Sequence, residues 1–197
     1  GNFGGTTYLA GNLETVEDRM TAAFASDESG KLSGVGCTLE ALDANPHMYE
    51  FVLEKPWRKG AVDVKQWIRD YANRRVGQVD ENAENAWETL LHSVYSSPAR
   101  TTQGTIINAR PQMEGHGMRW TNFKINYKNE DLLKAWEQLL SAEKRDRSVY
   151  LHDLVNVASQ AISNYALELR DQMVADYRSG DLDDFRVSAT RFLQAIE

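Results

Sequence analysis

The residues DVKQWIRDYANRRVG, numbered 63–77, decide the fold class of this chain. Apolar side chains recur in it at the three- and four-residue spacing of one helix face, at Val64, Trp67, Ile68 and Tyr71. Asp63 precedes the stripe as a good N-cap, and Gly77 follows it where helices commonly end in a left-handed residue. The stretch therefore predicts a complete amphipathic helix.

The same pattern continues towards the C-terminus. Asp80 is placed to start a second helix, and further helices are predicted over about 129–142, over about 148–178 and from about 181 onward. On the helix predicted at 129–142, the apolar positions expected to face inward are Leu132, Leu133, Trp136, Leu139 and Leu140. On the helix predicted at 148–178, they are Leu151, Leu154, Val155, Ala158, Ile162, Tyr165, Leu169 and Met173. Helices joined by short connectors predict an all-α bundle over residues 61–197. The irregular stretch 96–120 interrupts it, with a possible strand at 105–107.

Residues 1–60 have a different organisation. Asn12 can cap a first helix, and a Ser/Gly-rich loop then leads into GVGCTLE, residues 34–40, which reads as a short strand ending in a carboxylate. Asn45 and Pro46 follow as an N-cap and first helical residue. This order of helix, strand, acidic loop and helix is typical of the closing units of an α/β barrel, although two units cannot form a barrel alone.

Composition excludes several classes of protein. The 197 residues are 42% hydrophobic and 26% charged, which indicates a folded globular chain, and no apolar run is long enough to span a bilayer. The net charge of −7 argues against a broad nucleic-acid-binding face. The single cysteine cannot form an internal disulfide, and the four histidines lack metal-ligand spacing, so no metal site is expected. The chain lacks an initiator Met and an intact signal peptide, and we expect it to belong to a longer protein.

Glu40 is the candidate with the clearest chemistry. It follows a glycine-flanked apolar stretch, and barrel enzymes place catalytic groups at the C-terminal ends of strands. Spacing alone favours the simpler interpretation of a solvated loop carboxylate. Trp57 and Trp120 lie outside the predicted helix stripes and are candidates for stacking on a sugar face, whereas Trp67, Trp87 and Trp136 are expected in the core.

Several short motifs, in order, resemble the family-89 glycoside hydrolases, the α-N-acetylglucosaminidases. They are Asn2-Phe3-Gly4-Gly5, Gly11-Asn12-Leu13-Glu14, Gly34-Val35-Gly36-Cys37-Thr38-Leu39-Glu40-Ala41, Asn45-Pro46, Tyr49-Glu50, Trp57-Arg58, Arg74-Arg75-Val76-Gly77, Ala86-Trp87, Ser93-Val94-Tyr95 and Arg110-Pro111. The resemblance covers essentially the whole chain. It implies that residues 1–60 are the last segments of a (β/α)8 catalytic barrel and that residues 61–197 are most of an all-helical C-terminal domain.

The resemblance also implies a function. Family members remove terminal α-linked N-acetylglucosamine with retention of configuration, using two carboxylic acids. Glu40 matches the nucleophile, whereas the acid/base residue of the family comes from an earlier barrel strand and has no match here. Asn2 is expected to hydrogen-bond the sugar, and Trp57 is expected to stack on it or to form part of the pocket wall. The implied partner is a carbohydrate, no cofactor is required, and the implied location is secreted, periplasmic or lysosomal.

Two other functions stay open at this level. The chain could be a non-catalytic helical structural or interaction domain, or a sugar-binding domain that recognises N-acetylglucosamine by itself. Because the second carboxylic acid is not matched within these residues, we expect the 197-residue chain alone to be inactive. Homo-oligomerisation stays possible.

Overall fold

The mainly helical class predicted from the sequence is confirmed by a computed structural model, which describes residues 8–38, 43–96, 105–107, 112–113 and 124–197. Over these residues the α-helices are α1 (Leu13–Ala25), α2 (Pro46–Glu54), α3 (Val64–Val76), α4 (Glu81–His92), α5 (Asn129–Leu140), α6 (Ser148–Ser179) and α7 (Leu182–Ile196). Short 3-10 helices lie at Asp27–Lys31 and Lys55–Trp57. No helix among the described residues has the length and apolarity needed to cross a membrane.

The predicted helix ends are confirmed where local chemistry sets them. The side chain of Asn12 accepts a hydrogen bond from the Thr15 backbone N–H at 2.8 Å, and Asp63 and Asp80 cap α3 and α4 in the same way. Gly77 ends α3 with a φ of 91°, a left-handed conformation that favours glycine. Each capping side chain lies within three residues of the backbone N–H that donates to it, so the local sequence is enough to predict these caps.

The helices pack in chain order, with α3 against α4, α4 against α5, α5 against α6, and α7 along α6. Helix α1 packs against α2 and α3. Buried residues from the first sixty positions belong to the same hydrophobic cluster as those of α3 to α6; they include Leu9, Leu13, Met48 and Phe51. The two parts of the chain therefore share one core.

Aromatic rings fill the centre of that core around His47. The His47 ring centroid lies 4.1 Å from that of Tyr95, 5.2 Å from that of Trp87 and 6.0 Å from that of Tyr71. Trp67 stacks on Tyr71, with ring centroids 5.7 Å apart. The core positions predicted for Trp67 and Trp87 are confirmed.

The predicted inward face of α6 is only partly confirmed. Leu154 packs against the core, and Ala158, Leu169 and Met173 are half-buried. Leu151, Val155, Ile162 and Tyr165 are exposed, and the helix also buries Asp153, Val157, Gln160, Ala161 and Asn164. Apolar periodicity missed this face because much of it is polar and is buried through specific hydrogen bonds. On α5, Leu133 and Leu140 are also exposed, because α4 and α6 cover only the face that carries Leu132, Ala135 and Leu139.

Two predicted strands also differ from the structure. Residues 34–37 lie in neither a helix nor a strand, Thr38 forms an isolated β-bridge, and residues 39–42 are outside the described residues. A strand is stable only when a neighbour pairs with it, and no described segment pairs with 34–37. Residues 106 and 107 lie in a turn instead of the possible strand at 105–107.

We expect the stability of the fold to depend on the protonation of His47. Burial, with a smaller effect of the Arg75 charge, lowers the pKa of His47 to about 3. In the unfolded chain His47 has a pKa of about 6.5, so between pH 6.5 and 3 it binds a proton there but not in the folded chain. The free energy of unfolding present above pH 6.5 therefore decreases as the pH falls towards 3. The two ring nitrogens have no hydrogen-bond partner among the described residues, so His47→Phe should change stability little at pH 7.

The measurement is guanidinium unfolding at several pH values between 7 and 4. The pH dependence of the free energy of unfolding should be weaker in His47→Phe, by up to about 1.4 kcal/mol per pH unit. The same pH dependence in both proteins would contradict the assignment of this proton to His47.

Candidate functional site

Of the four candidate site residues, Trp57 lies within the described part of the chain. Glu40, Asn2 and Trp120 lie outside the described residues. Trp57 ends the 3-10 helix after α2, and 87% of its surface is exposed. Helix α2 and the 3-10 helix separate Trp57 from Asn45, which precedes α2.

The chain that follows Glu40 is anchored on α6. The side chain of Asn156 donates a hydrogen bond from Nδ2 to the backbone oxygen of Ala44, at 2.7 Å. Ala44 is buried and lies four residues after Glu40. Helix α6 therefore contacts the chain close to the predicted nucleophile.

The chain that follows Asn2 is anchored on the same helix, one turn further along. The backbone N–H of Leu9 donates to Oε1 of Gln160 at 3.0 Å, and both residues are buried. The amide of Gln160 donates in turn to Oδ1 of Asn164 at 2.9 Å, which fixes the orientation of the Gln160 side chain. Asn156 and Gln160 are four residues apart and share one face of α6.

Asn45 joins the two anchored segments to each other. Its Oδ1 accepts from the backbone N–H of Ala10 at 2.9 Å, and its Nδ2 donates to the backbone oxygen of Tyr8 at 2.8 Å. The N-cap hydrogen bond predicted for the Asn45 side chain is therefore absent, although α2 does begin at Pro46 as predicted. The side chain is used across the chain instead, and Asn45 is only 1% exposed.

A groove of about 560 Å³ lies beside the hydrogen bond between Asn156 and Ala44. It runs between residues 43–44 and the exposed face of α6, where its wall combines apolar side chains with polar ones. Its lining residues are Asp43, Ala44, Ser148, Leu151, His152, Val155, Asn156 and Ser159. Among the residues that the structure describes, no group of three or more His, Cys, Asp or Glu side chains could hold a metal ion.

A buried ion pair fixes the position of α6 relative to α3. Arg75 on α3 binds Asp153 with both Nε and Nη2, each at 2.6 Å from a carboxylate oxygen, and Nη2 also donates to the Val149 backbone oxygen at 2.8 Å. Burial works against the charged guanidinium, but hydrogen bonding to Asp153 outweighs it and raises the pKa of Arg75. The pair fixes the first turns of α6 against α3.

Sequence reasoning missed Asn156 and Gln160. Their partners, Ala44 and Leu9, lie 112 and 151 residues away, so no local pattern shows the contact. The signal that could have indicated them is a second, polar stripe on α6 at helical spacing, formed by Asp153, Asn156, Gln160 and Asn164.

Comparison with known proteins places the chain in a family. Residues 67–197 match the model of the alpha-N-acetylglucosaminidase (NAGLU) C-terminal domain, and residues 1–59 match the model of the NAGLU tim-barrel domain. The chain belongs to the alpha-N-acetylglucosaminidase family. The resemblance to the family-89 glycoside hydrolases is thereby confirmed, as is the combination of a barrel end with a helical C-terminal domain.

Individual relatives agree with this assignment. Human alpha-N-acetylglucosaminidase is 29% identical over 187 residues, which cover 92% of this chain and 24% of the human protein. The family 89 glycoside hydrolase from Clostridium perfringens in complex with PUGNAc superimposes with a TM-score of 0.89 at 27% identity, over 98% of this chain and 22% of that one. A form of the Clostridium perfringens enzyme with two Glu-to-Gln substitutions, in complex with its substrate GlcNAc-alpha-1,4-galactose, superimposes equally well. The chain thus spans about a quarter of the length of these relatives.

We expect the ion pair between Arg75 and Asp153 to be essential for stability. Replacing Arg75 with Met leaves the Asp153 carboxylate buried without its counter-charge, which should cost about 3–5 kcal/mol of unfolding free energy. The neighbouring Arg74 is a matched control, because its ion pair with Glu50 is exposed and Arg74→Met should cost about 0–1 kcal/mol. Chemical denaturation followed by tryptophan fluorescence measures both, and equal losses would show that the buried pair has no special role.

Proposed function

We propose that the protein to which this chain belongs is an exo-acting, retaining α-N-acetylglucosaminidase that releases terminal α-linked N-acetylglucosamine. The observation that carries the proposal is the superposition of 98% of the chain on family 89 glycoside hydrolases at 27% identity, with matches to both family domains. We assign residues 1–60 to the catalytic barrel and residues 61–197 to the helical domain.

In the proposed mechanism Glu40 is the nucleophile. An oxygen of its carboxylate forms a bond to the anomeric carbon while the glycosidic C–O bond breaks, and the leaving oxygen takes a proton from a second carboxylic acid. That acid then removes a proton from water, which attacks the anomeric carbon and releases Glu40 with the original configuration restored. The second carboxyl must lie about 5–5.5 Å from the nucleophile, and we place it in a part of the protein outside this chain.

The contact between Tyr8 and Asn45 is compatible with Glu40 and Asn2 acting on the same sugar. Glu40 is four residues from Ala44, and Asn2 is six residues from Tyr8. Extended chains of these lengths span at most about 14 Å and about 21 Å, so neither residue can lie further than that from its anchored segment. We propose that Asn2 hydrogen-bonds the sugar. The relative with two Glu-to-Gln substitutions, in complex with its substrate, supports a reaction that uses two carboxylic acids.

The remaining assignments follow from the same proposal. The carboxylic acid pair suffices for the reaction, so no cofactor is required. The partner is a carbohydrate that ends in α-linked N-acetylglucosamine, and we propose a secreted, periplasmic or lysosomal location, as for an enzyme of glycan degradation. The chain alone lacks the proposed acid/base and should not hydrolyse the substrate by itself.

Replacement of Glu40 tests the nucleophile. In the full-length protein, Glu40→Ala should lower turnover of an aryl α-N-acetylglucosaminide by several orders of magnitude, because no covalent intermediate can form. Added azide should restore part of the rate by attacking the anomeric carbon from the vacated face, which yields the β-glycosyl azide. Asp43→Ala removes a carboxylate three residues away and is the matched control, with turnover near that of the wild type.

The assignment of Glu40 is wrong if Glu40→Ala keeps near-normal turnover. It is also wrong if Asp43→Ala is the variant that needs azide.

Replacement of Trp57 tests the proposed sugar-stacking role. Because Trp57 is 87% exposed, Trp57→Ala should leave the thermal unfolding midpoint unchanged. If the indole ring stacks on the substrate, Trp57→Ala should raise KM several-fold with little change in kcat, and Trp57→Phe should keep most of the affinity because it retains an aromatic face. An unchanged KM in Trp57→Ala would remove Trp57 from the site.

A further inference from the structure

Helix α6 carries a polar stripe whose members each bind a different part of the chain. Asp153 binds Arg75 of α3, Asn156 binds Ala44, and Gln160 binds Leu9. Asn164 donates to the Tyr127 hydroxyl at 3.0 Å and to Oδ1 of Asn129 at 2.9 Å. Polar groups that lose water are costly unless they keep such partners, so the stripe defines the position of four segments relative to one helix.

The two segments nearest the candidate site residues are attached to α6 by hydrogen bonds. Elsewhere in residues 1–60, Leu13, Met48 and Phe51 join the core through apolar contacts, and Glu54 accepts a hydrogen bond from Trp67 Nε1 of α3 at 2.9 Å. Residues 8–10 and 44–45 are held in addition by amide hydrogen bonds of 2.7–3.0 Å, which fix the distance between their atoms.

These hydrogen bonds form a closed ring. It runs from Asn156 to Ala44, through Asn45 to Tyr8 and Ala10, and back through Leu9 to Gln160, which lies one turn from Asn156 on α6. We call this ring the α6 clamp. Neither segment can move along α6 or away from the other segment without breaking a hydrogen bond in a buried or half-buried place.

We propose that Asn156 and Asn45 are positioning residues for the glycosidase reaction, and that the α6 clamp sets the place from which Glu40 attacks the sugar. This inference rests on the proposed function. A nucleophile must lie within a few tenths of an ångström of its productive position, and a displacement of about 1 Å can cost about 100-fold in rate. The helical domain thus acts on the reaction through the backbone of Ala44 without a side chain of α6 having to touch the sugar.

Asn156 is the best residue to test because it is half-buried and makes a single described hydrogen bond to the clamp. The chain also offers a matched control. Asn82 donates from Nδ2 to the backbone oxygen of Ser141 at 3.0 Å, which is the same kind of bond between α4 and the end of α5. The Asn82 bond is exposed and the Asn156 bond is half-buried, so Asn82→Ala should destabilise the fold somewhat less than Asn156→Ala. Of the two residues, only Asn156 is joined to the chain next to Glu40.

The experiment compares Asn156→Ala, Asn82→Ala and Glu40→Ala in the full-length protein. We expect Asn156→Ala to lower kcat/KM for an aryl α-N-acetylglucosaminide by about tenfold or more, whereas Asn82→Ala stays within about twofold of the wild type. The thermal unfolding midpoints of these two variants should agree within a few degrees. Asn156→Gln, which keeps an amide donor, should recover most of the lost rate.

A second readout separates positioning from a general loss of structure. The acidic limb of the pH profile of kcat/KM reports the ionisation of the nucleophile in the free enzyme. It should shift in Asn156→Ala, because the carboxylate enters a different environment, and it should stay in place in Asn82→Ala. If Asn156→Ala does not fold, Asn156→Ser takes its place under the same criteria.

The outcomes distinguish the two proposals. If Glu40→Ala is inactive but Asn156→Ala matches Asn82→Ala in rate and pH profile, the positioning role alone is overturned. If the wild-type protein does not cleave the substrate, or if Glu40→Ala remains active, the proposed function fails and the positioning role fails with it.

Discussion

The burial of polar side chains on α6 is the constraint on which the rest of the structure depends. A buried carboxylate or amide keeps the fold stable only while it keeps its own partner, so Asp153, Gln160 and Asn164 permit one arrangement of the segments around the helix. An apolar helix face of the same size would provide more burial energy but would define position less sharply. This chain uses both, with aromatic packing around His47 for bulk stability and the polar stripe for position.

The two parts of the chain match different family domains but share one core. Residues 1–59 match a barrel domain and residues 67–197 a separate C-terminal domain, yet Leu9, Leu13 and Phe51 lie in the same core as Trp67 and Trp87. The helical domain is therefore continuous with the end of the barrel sequence. Under the proposed function, it is part of the framework that places the nucleophile.

What the sequence could predict follows from the range of each interaction. The caps at Asp63 and Asp80 depend on atoms within three residues, and both were predictable. The buried face of α6 was not, because an apolar stripe from Leu151 to Tyr165 shows the stronger periodicity and its exposure depends on what surrounds the helix. Asn45 looked like a cap, yet its side chain binds residues 35 and 37 positions away. Glu40 became a strong candidate only through the family motifs, since spacing alone favoured a solvated loop.

The most direct test of the account is to trap the covalent intermediate in the full-length protein. A slow fluorinated α-N-acetylglucosaminide with a good leaving group should form a stable glycosyl-enzyme, because fluorine slows both steps and the good leaving group speeds up only the first. Trypsin then yields the peptide of residues 32–58, which contains Glu40, Asp43, Glu50 and Glu54. The account predicts one sugar per protein, attached through an ester to Glu40; attachment to Asp43, to Glu50 or to a residue outside this peptide would contradict it.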